Sequence, residues 1–133
     1  MPKATIAGCV CDAFTDMESL RDELNDWLEN MPENLKGGQK ADELETAIST
    51  IEEELDEPDV PVLIQEREVL IGVSPKRGGR AARRDTATGV LRVIIANLEK
   101  GLKTTPDEEI KYFRDRLGEI ADTWDTVEFP GAR

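Results

Sequence analysis

A group of five positively charged side chains within nine residues is the part of this sequence best suited to chemistry, and that chemistry is the binding of an anion. The group consists of Lys76, Arg77, Arg80, Arg83 and Arg84. Residues three and four positions apart share one face of a helix, so the guanidinium groups of Arg80, Arg83 and Arg84 can converge. Guanidinium groups bind phosphate through paired hydrogen bonds, and a helix that starts beside glycine adds free backbone N–H groups and a favourable dipole. The group therefore predicts a site for a small anionic ligand of the nucleotide type.

The acidic residues of the chain offer a second interpretation of the same arginines. Residues 42–59 hold nine acidic side chains and no basic ones, on a segment with helical periodicity. The arginines could pair with these acids, either within one chain or across a dimer. The acidic block also supports a different function, in which the chain is an inhibitor that occupies the nucleic-acid-binding surface of a host protein.

The net charge limits the expected partners and location. The chain has 17 basic and 29 acidic residues, and its formal charge of −12 repels nucleic acid and anionic membranes at long range. We therefore expect neither direct coating of nucleic acid nor a membrane partner. The first residues lack the basic start and apolar stretch of a signal peptide, and no apolar run is long enough to span a bilayer, so the expected location is the cytoplasm.

Catalytic chemistry is not indicated by the residue types present. The chain contains no histidine, and it shows no P-loop, no dinucleotide-binding glycine pattern and no nucleophile elbow. Cys9 and Cys11 could donate two thiolates to zinc, but the chain has no further cysteine or histidine to complete a site, so we interpret them as inert thiols. The sequence predicts a protein that is not an enzyme, with no cofactor and no metal.

The aromatic residues divide into core candidates and one ligand candidate. Trp27 and Trp124 fall on apolar stripes at helical spacing, which predicts a place in the core. Tyr112 lies just off the stripe of its segment. It is the candidate for stacking on a bound ligand.

Four amphipathic segments predict the elements that must position these residues. The first helix is expected from Thr15, with Glu18 as its capping-box partner, and the second must end by Pro58. The third is expected from Gly79 or Arg80. The fourth is expected after an N-cap at Thr105. The apolar positions of the four stripes are Met17, Leu20, Leu24, Trp27, Leu28 and Met31; Ala41, Leu44, Ile48, Ile51 and Leu55; Ala87, Leu91, Ile94, Leu98 and Leu102; and Ile110, Phe113, Leu117, Ile120, Trp124 and Val127.

The predicted fold class is mainly α with a minor β part, with about four helices in two antiparallel helical hairpins. Residues 62–64 and 69–73 are rich in β-branched side chains and predict a short central β-hairpin or strand pair, although a helical turn is not excluded for so short a run. The predicted organisation is an N-terminal arm or short strand over residues 1–14, a single helical domain over 15–128 and a C-terminal tail over 129–133.

The end of the fourth stripe predicts assembly. Trp124, Val127 and Phe129 continue past the expected edge of a four-helix bundle, and a monomer seldom exposes such a patch. A second copy would cover the patch and could bring acidic residues 42–59 towards the arginines of its partner. The sequence therefore predicts a homo-oligomer, a dimer or higher, with the anion site at the interface.

Three short runs carry a resemblance to known proteins. Residues 27–35 read W-x-x-N-x-P-E-N-L, residues 80–85 read R-A-A-R-R-D, and residues 127–130 read V-E-F-P. Together they resemble small, largely uncharacterised phage-encoded helical proteins, over about a third of the chain. The resemblance implies a viral origin and action in the host-cell cytoplasm, and by association an accessory or anti-defence protein, such as a sponge that sequesters a nucleotide signal. A phage structural or assembly protein is the third hypothesis, because long apolar stripes occur in a chain with few aromatic residues.

Overall fold

Four α-helices and one pair of short strands form the part of the chain that the computed structural model describes, residues 3–70 and 79–129. The helices are α1 (Ile6–Glu29), α2 (Gln39–Glu53), α3 (Arg80–Thr104) and α4 (Glu108–Asp125). The strands are β1 (Lys3–Thr5) and β2 (Glu68–Leu70), and single 3-10 turns cover Glu33–Leu35 and Val62–Ile64. The expected fold class, mainly α with a minor β part, is confirmed.

Side-chain contacts show that consecutive helices run antiparallel. In the first hairpin, Arg21 in the later half of α1 pairs with Glu52 at the end of α2 at 3.2 Å, and Lys40 at the start of α2 lies over Trp27 near the end of α1. In the second, Arg92 of α3 pairs with Asp122 near the end of α4 at 3.4 Å. Helix α1 packs against both α2 and α3, and α4 packs against α3. The molecule is therefore two antiparallel helical hairpins joined through α1 and α3.

The apolar stripes face one another and form one core. The rings of Phe14 and Trp124 meet edge to face, with centroids 5.0 Å apart at an interplanar angle of 66°. Most of the predicted stripe positions are buried, and Trp27, Leu28, Leu55 and Leu102 are only partly buried. Burial of these stripes is the main contribution to folding, since removing apolar area from water contributes about 25 cal/mol per Å².

Helix α1 begins at Ile6, so the predicted start at Thr15 is wrong. Thr5 is the N-cap, and its hydroxyl accepts a hydrogen bond from the backbone N–H of Gly8 at 3.1 Å. The residues predicted as an arm carry the same apolar stripe one turn after another, with Ile6, Val10 and Phe14 all buried. Tertiary burial outweighs the low helix propensity of the β-branched residues in this segment. Only residues 3–5 keep the predicted extended form.

The predicted central β-hairpin is replaced by a strand pair between distant segments. Strand β2 pairs antiparallel with β1, with Thr5 opposite Glu68, and residues 62–64 form a 3-10 turn whose N-cap is Pro61. Proline cannot donate to a strand ladder and has its φ fixed, which favours the turn at this position. Residues 71–73 of the predicted second strand lie outside the described residues.

Helix α4 is capped by Asp107 and not by the predicted Thr105. The carboxylate of Asp107 accepts a hydrogen bond from the backbone N–H of Ile110 at 3.0 Å, and Asp107 has an extended backbone with φ −150° and ψ 119°. Aspartate at the N-cap also adds a negative charge where the helix dipole is positive. Helix α3, by contrast, starts at Arg80, as predicted.

The patch that predicted a second copy is covered within one chain. Trp124, Val127 and Phe129 are all buried, so they no longer give a reason for assembly. The homo-oligomer stays a prediction. Residues 130–133 of the predicted tail lie outside the described residues, and no helix within the described part is long and apolar enough to cross a membrane.

Candidate functional site

Arg80 and Arg83 reach the same carboxylate, as their spacing on one helical face allows. Arg83 Nη1 lies 2.7 Å from Glu23 Oε2, and Arg80 Nε lies 3.3 Å from Glu23 Oε1. Glu23 belongs to α1, so the acids of residues 42–59 are not the partners of these two arginines within the described part of the chain. The three side chains remain 34 to 39% exposed. The carboxylate holds both guanidinium groups at the surface in one place.

Trp27 joins this group one helical turn after Glu23. The Arg80 guanidinium carbon lies 5.3 Å from the centroid of the Trp27 ring, and Lys40 Nζ lies 5.5 Å from the same centroid. Both distances suit the attraction between a cation and the face of an indole ring. Trp27 is only partly buried, so the prediction of a purely core role is wrong. We call Trp27, Glu23, Lys40, Arg80 and Arg83 the Trp27 site.

Two helix N-termini converge on the Trp27 site. Gly38 is the N-cap of α2 and Gly79 is the N-cap of α3, and neither helix start has a side-chain capping hydrogen bond. Lys40 and Arg80 belong to the first turns of these helices, so their contacts with Trp27 bring both helix starts beside one ring. The first backbone N–H groups of a helix have no partner within the helix, and its N-terminus carries a partial positive charge. A side chain at Gly79 would meet nothing within 4 Å, so the start of α3 is open.

The electrostatics of the Trp27 site favour an anion but are partly offset. Lys40, Arg80 and Arg83 contribute three positive charges to a chain whose formal charge is −12. Glu23 offsets part of this charge. Asp16 also acts on Arg83, whose charge opposes the effect of burial, and burial raises the pKa of Asp16, with Asp12 adding to the rise. A local excess of positive charge remains in an acidic molecule.

Arg84 does not belong to the Trp27 site, although the sequence assigned it to the same anion site. Its Nη1 donates to the backbone carbonyl oxygens of Trp124 and Val127, both at 2.9 Å, and its Nε donates to Asp85 at 2.7 Å. Its guanidinium carbon lies 5.6 Å from the ring centroid of Phe129. Consecutive residues are 100° apart around a helix, so Arg83 faces α1 while Arg84 faces α4. A cation at these carbonyls is stabilised by the negative end of the α4 dipole.

The other predicted site residues lie elsewhere. Tyr112 is exposed on the first half of α4 and lines a groove with Pro58 and Pro61. It precedes Trp124, whose carbonyl Arg84 holds, by twelve residues, or about 18 Å of helix. Tyr112 is therefore not placed to stack on a ligand at the Trp27 site. Lys76 and Arg77 lie outside the described residues.

The acids of residues 42–59 stay largely without cationic partners within residues 3–70 and 79–129. Glu52 pairs with Arg21 at 3.2 Å and Glu54 pairs with Arg116 at 2.7 Å. The remaining acids are exposed, and no ion pair to a described residue is formed by any of them: Asp42, Glu43, Glu45, Glu53, Asp56, Glu57 and Asp59. These side chains give one side of the molecule a strong negative potential.

The two cysteines differ in their surroundings. Cys9 is buried and Cys11 is exposed on the same helix. Burial raises the pKa of the Cys9 thiol, and Asp12 adds to the rise. In the described part of the chain, no three side chains of the metal-binding types lie together.

Trp27 and Lys40 are the site residues that sequence reasoning missed. Their signal was present, because Gly38–Gln39–Lys40 repeats the order of Gly79–Arg80, glycine before a cation in the first turn of a helix. That two such helix starts meet at one tryptophan depends on the packing of α1 against α2 and α3. Comparison of the chain with protein families, curated proteins and solved structures finds no match.

Proposed function

We propose that this chain is a binding protein, not an enzyme, that holds a small anionic ligand of the nucleotide type at the Trp27 site. One observation carries the proposal: Lys40 and Arg80, from the first turns of two different helices, both lie over the ring of Trp27. Two open helix N-termini and two arginines can surround a phosphate. The partly exposed indole ring supplies a surface beside which a base can pack.

Glu23 occupies the position that a phosphate would take between Arg80 and Arg83. Ion pairs between partly exposed side chains contribute about 1 kcal/mol or less to stability. A phosphate offers the same guanidinium groups more charge and more acceptor oxygens than one carboxylate does. Exchange of Glu23 for a bound phosphate is therefore inexpensive, and the arginines are already oriented for it.

Thermal-shift measurements and calorimetry with defined ligands test the proposal. The probes are inorganic phosphate, adenosine monophosphate and a cyclic dinucleotide, each at low and at physiological ionic strength. We expect stabilisation by at least one phosphate-bearing ligand, and this stabilisation should weaken with salt. Arg80→Ala and Arg83→Ala should abolish it, while Arg92→Ala, an exposed arginine on the same helix, should retain it. If no probe stabilises the protein, the proposal fails.

A role as an anti-defence sponge follows if binding occurs without turnover. The resemblance to phage proteins motivates this role, and the anion site supplies a means of sequestration. The test is chemical recovery of the ligand: nucleotide released from the protein by heat should be identical to the nucleotide added. Conversion of the nucleotide would identify an enzyme instead.

The proposed site does not require a second copy of the chain. Every residue of the Trp27 site comes from one molecule, in contrast to the predicted location at a subunit interface. Whether the chain assembles is measured by light scattering, with 14.8 kDa as the mass of one chain.

A further inference from the structure

A second surface of the molecule exposes large apolar side chains. Val62 is 79% exposed, Leu63 is 75% exposed and Tyr112 is 73% exposed. Val62 and Leu63 lie on the 3-10 turn after α2, and Tyr112 lies on the first half of α4. Exposed apolar side chains gathered on one surface are typical of a binding interface.

Two grooves flank the 3-10 turn, and α4 forms a wall of both. The first groove has a volume of about 520 Å³ and is lined by Pro58, Pro61, Tyr112 and Phe113 together with charged side chains. The second has a volume of about 360 Å³, and its apolar lining is Leu63, Leu98, Leu102 and Ile110. Each groove is large enough to receive an apolar side chain of a partner. We call the first one the proline–tyrosine groove.

The charges around the proline–tyrosine groove are almost all negative. Its rim carries Asp56, Glu57, Asp59 and Glu109, and its one cation is Arg116. Arg116 is held by Glu54, with Nη2 to Oε1 at 2.7 Å. The rim carboxylates form no ion pair with a described residue. The groove therefore combines an apolar floor with carboxylates that have no cationic partner in the described part of the chain.

The walls of the groove are fixed by hydrogen bonds. Glu54 accepts from Arg116 and from the Thr123 hydroxyl, at 2.7 and 3.3 Å, which ties the end of α2 to α4. The side-chain amide of Gln65 donates to the Val60 carbonyl oxygen at 3.0 Å. Pro58 and Pro61 restrict the backbone between these contacts. A groove that is already formed costs little ordering when a partner binds.

We infer that the proline–tyrosine groove docks a basic segment of another protein. An apolar side chain of this segment packs against Tyr112 and Leu63, and flanking lysines or arginines meet the rim carboxylates. The charge of the rim excludes nucleic acid and selects a cationic peptide. This inference is independent of the proposed anion site, because Tyr112 lies at the opposite end of α4 from the carbonyls that Arg84 holds.

Binding of two synthetic peptides to the full chain tests the inference. Both peptides carry the same number of lysines; one has leucine and tryptophan between them, and the other has serine and glycine at those positions. We expect the apolar peptide to bind more tightly in fluorescence anisotropy at physiological salt. Tyr112→Ser and Leu63→Ser should each weaken it at least about tenfold, whereas Leu35→Ser, which alters an exposed leucine elsewhere, should not. All three positions are exposed, so the variants should keep the fold.

A charge comparison completes the experiment. Asp56→Asn combined with Asp59→Asn should weaken the apolar peptide more than Asp42→Asn combined with Glu43→Gln, which removes the same charge from α2. Equal binding of both peptides, or equal effects of the two charge pairs, would show attraction by net charge alone and overturn the inference. Self-association through the groove in place of peptide binding would overturn it too. Phosphate binding to Tyr112→Ser should stay normal, so failure here is separable from failure of the anion site.

Discussion

Arg84 of α3 holds the last turn of α4, because its guanidinium group donates a hydrogen bond to the backbone carbonyl oxygen of Trp124 at 2.9 Å. The same nitrogen reaches the Val127 carbonyl at 2.9 Å. The last carbonyls of a helix have no partner within it, and a cation satisfies them better than water alone. An arginine that sequence spacing assigned to a ligand site therefore fastens one helix to another.

Arg84→Ala should lower the free energy of unfolding by about 2 kcal/mol, since hydrogen bonds from a charged donor contribute more than neutral ones. Urea denaturation measures the change. The matched control is Arg92→Ala on the same helix, whose exposed pairs with Asp122 and Asp125 should contribute less than about 1 kcal/mol. Equal losses in the two variants would contradict a special role for Arg84.

Glu23→Gln should increase the affinity for phosphate-bearing ligands severalfold, because it removes the carboxylate that competes for Arg80 and Arg83. The free energy of unfolding should change by less than about 1 kcal/mol, since all three side chains are partly exposed. Calorimetry with adenosine monophosphate measures the affinity. Glu18→Gln removes a charge from the exposed face of α1 and should leave the affinity nearly unchanged; an equal gain there would indicate a general charge effect.

Asp107→Ala should lower the free energy of unfolding by about 1 kcal/mol through loss of the α4 N-cap. Thr105→Ala should have almost no effect, because the Thr105 side chain does not cap the helix. Thermal denaturation of the two variants distinguishes the caps. A larger effect of Thr105→Ala would restore the N-cap that the sequence predicted.

The period of the apolar residues was the reliable part of the sequence, and the helix starts were not. Leu20, Leu44, Leu91 and Leu117 are fully buried, because burial of a stripe is rewarded wherever its helix begins. A capping signal such as that at Thr15 is local and weak. The stripe that continues back through Phe14 to Ile6 outweighs it.

The candidate site was predictable only in part for a similar reason. The convergence of Arg80 and Arg83 follows from their spacing within one helix. Their partner Glu23 lies 60 residues before Arg83, and the contact of Trp27 with Lys40 and Arg80 joins three helices. Such contacts depend on tertiary packing, which one sequence does not specify residue by residue.

Alkylation should distinguish the two cysteines. Cys11 is exposed and should react with iodoacetamide in the folded protein, while buried Cys9, whose pKa is raised by burial, should react only after unfolding. Mass spectrometry of peptides from native and unfolded samples locates the adducts. Raising the pH within the range where the protein stays folded should not bring Cys9 to the rate of Cys11. Comparable rates in the folded protein would show that the start of α1 opens readily.

The pairing of β1 with β2 has a consequence for the order of folding. Residues 3–5 meet residues 68–70 only after α1 and α2, which lie between them in the chain, have come together. Two three-residue strands have no independent stability, and closing so long a loop costs entropy that grows with the logarithm of its length. The backbone N–H of Ile6 donates to the Arg67 carbonyl at 2.9 Å, which extends the same junction to the first residue of α1. The strand pair is therefore a clasp that closes late on an assembled helical core and is among the first contacts to release when the chain unfolds.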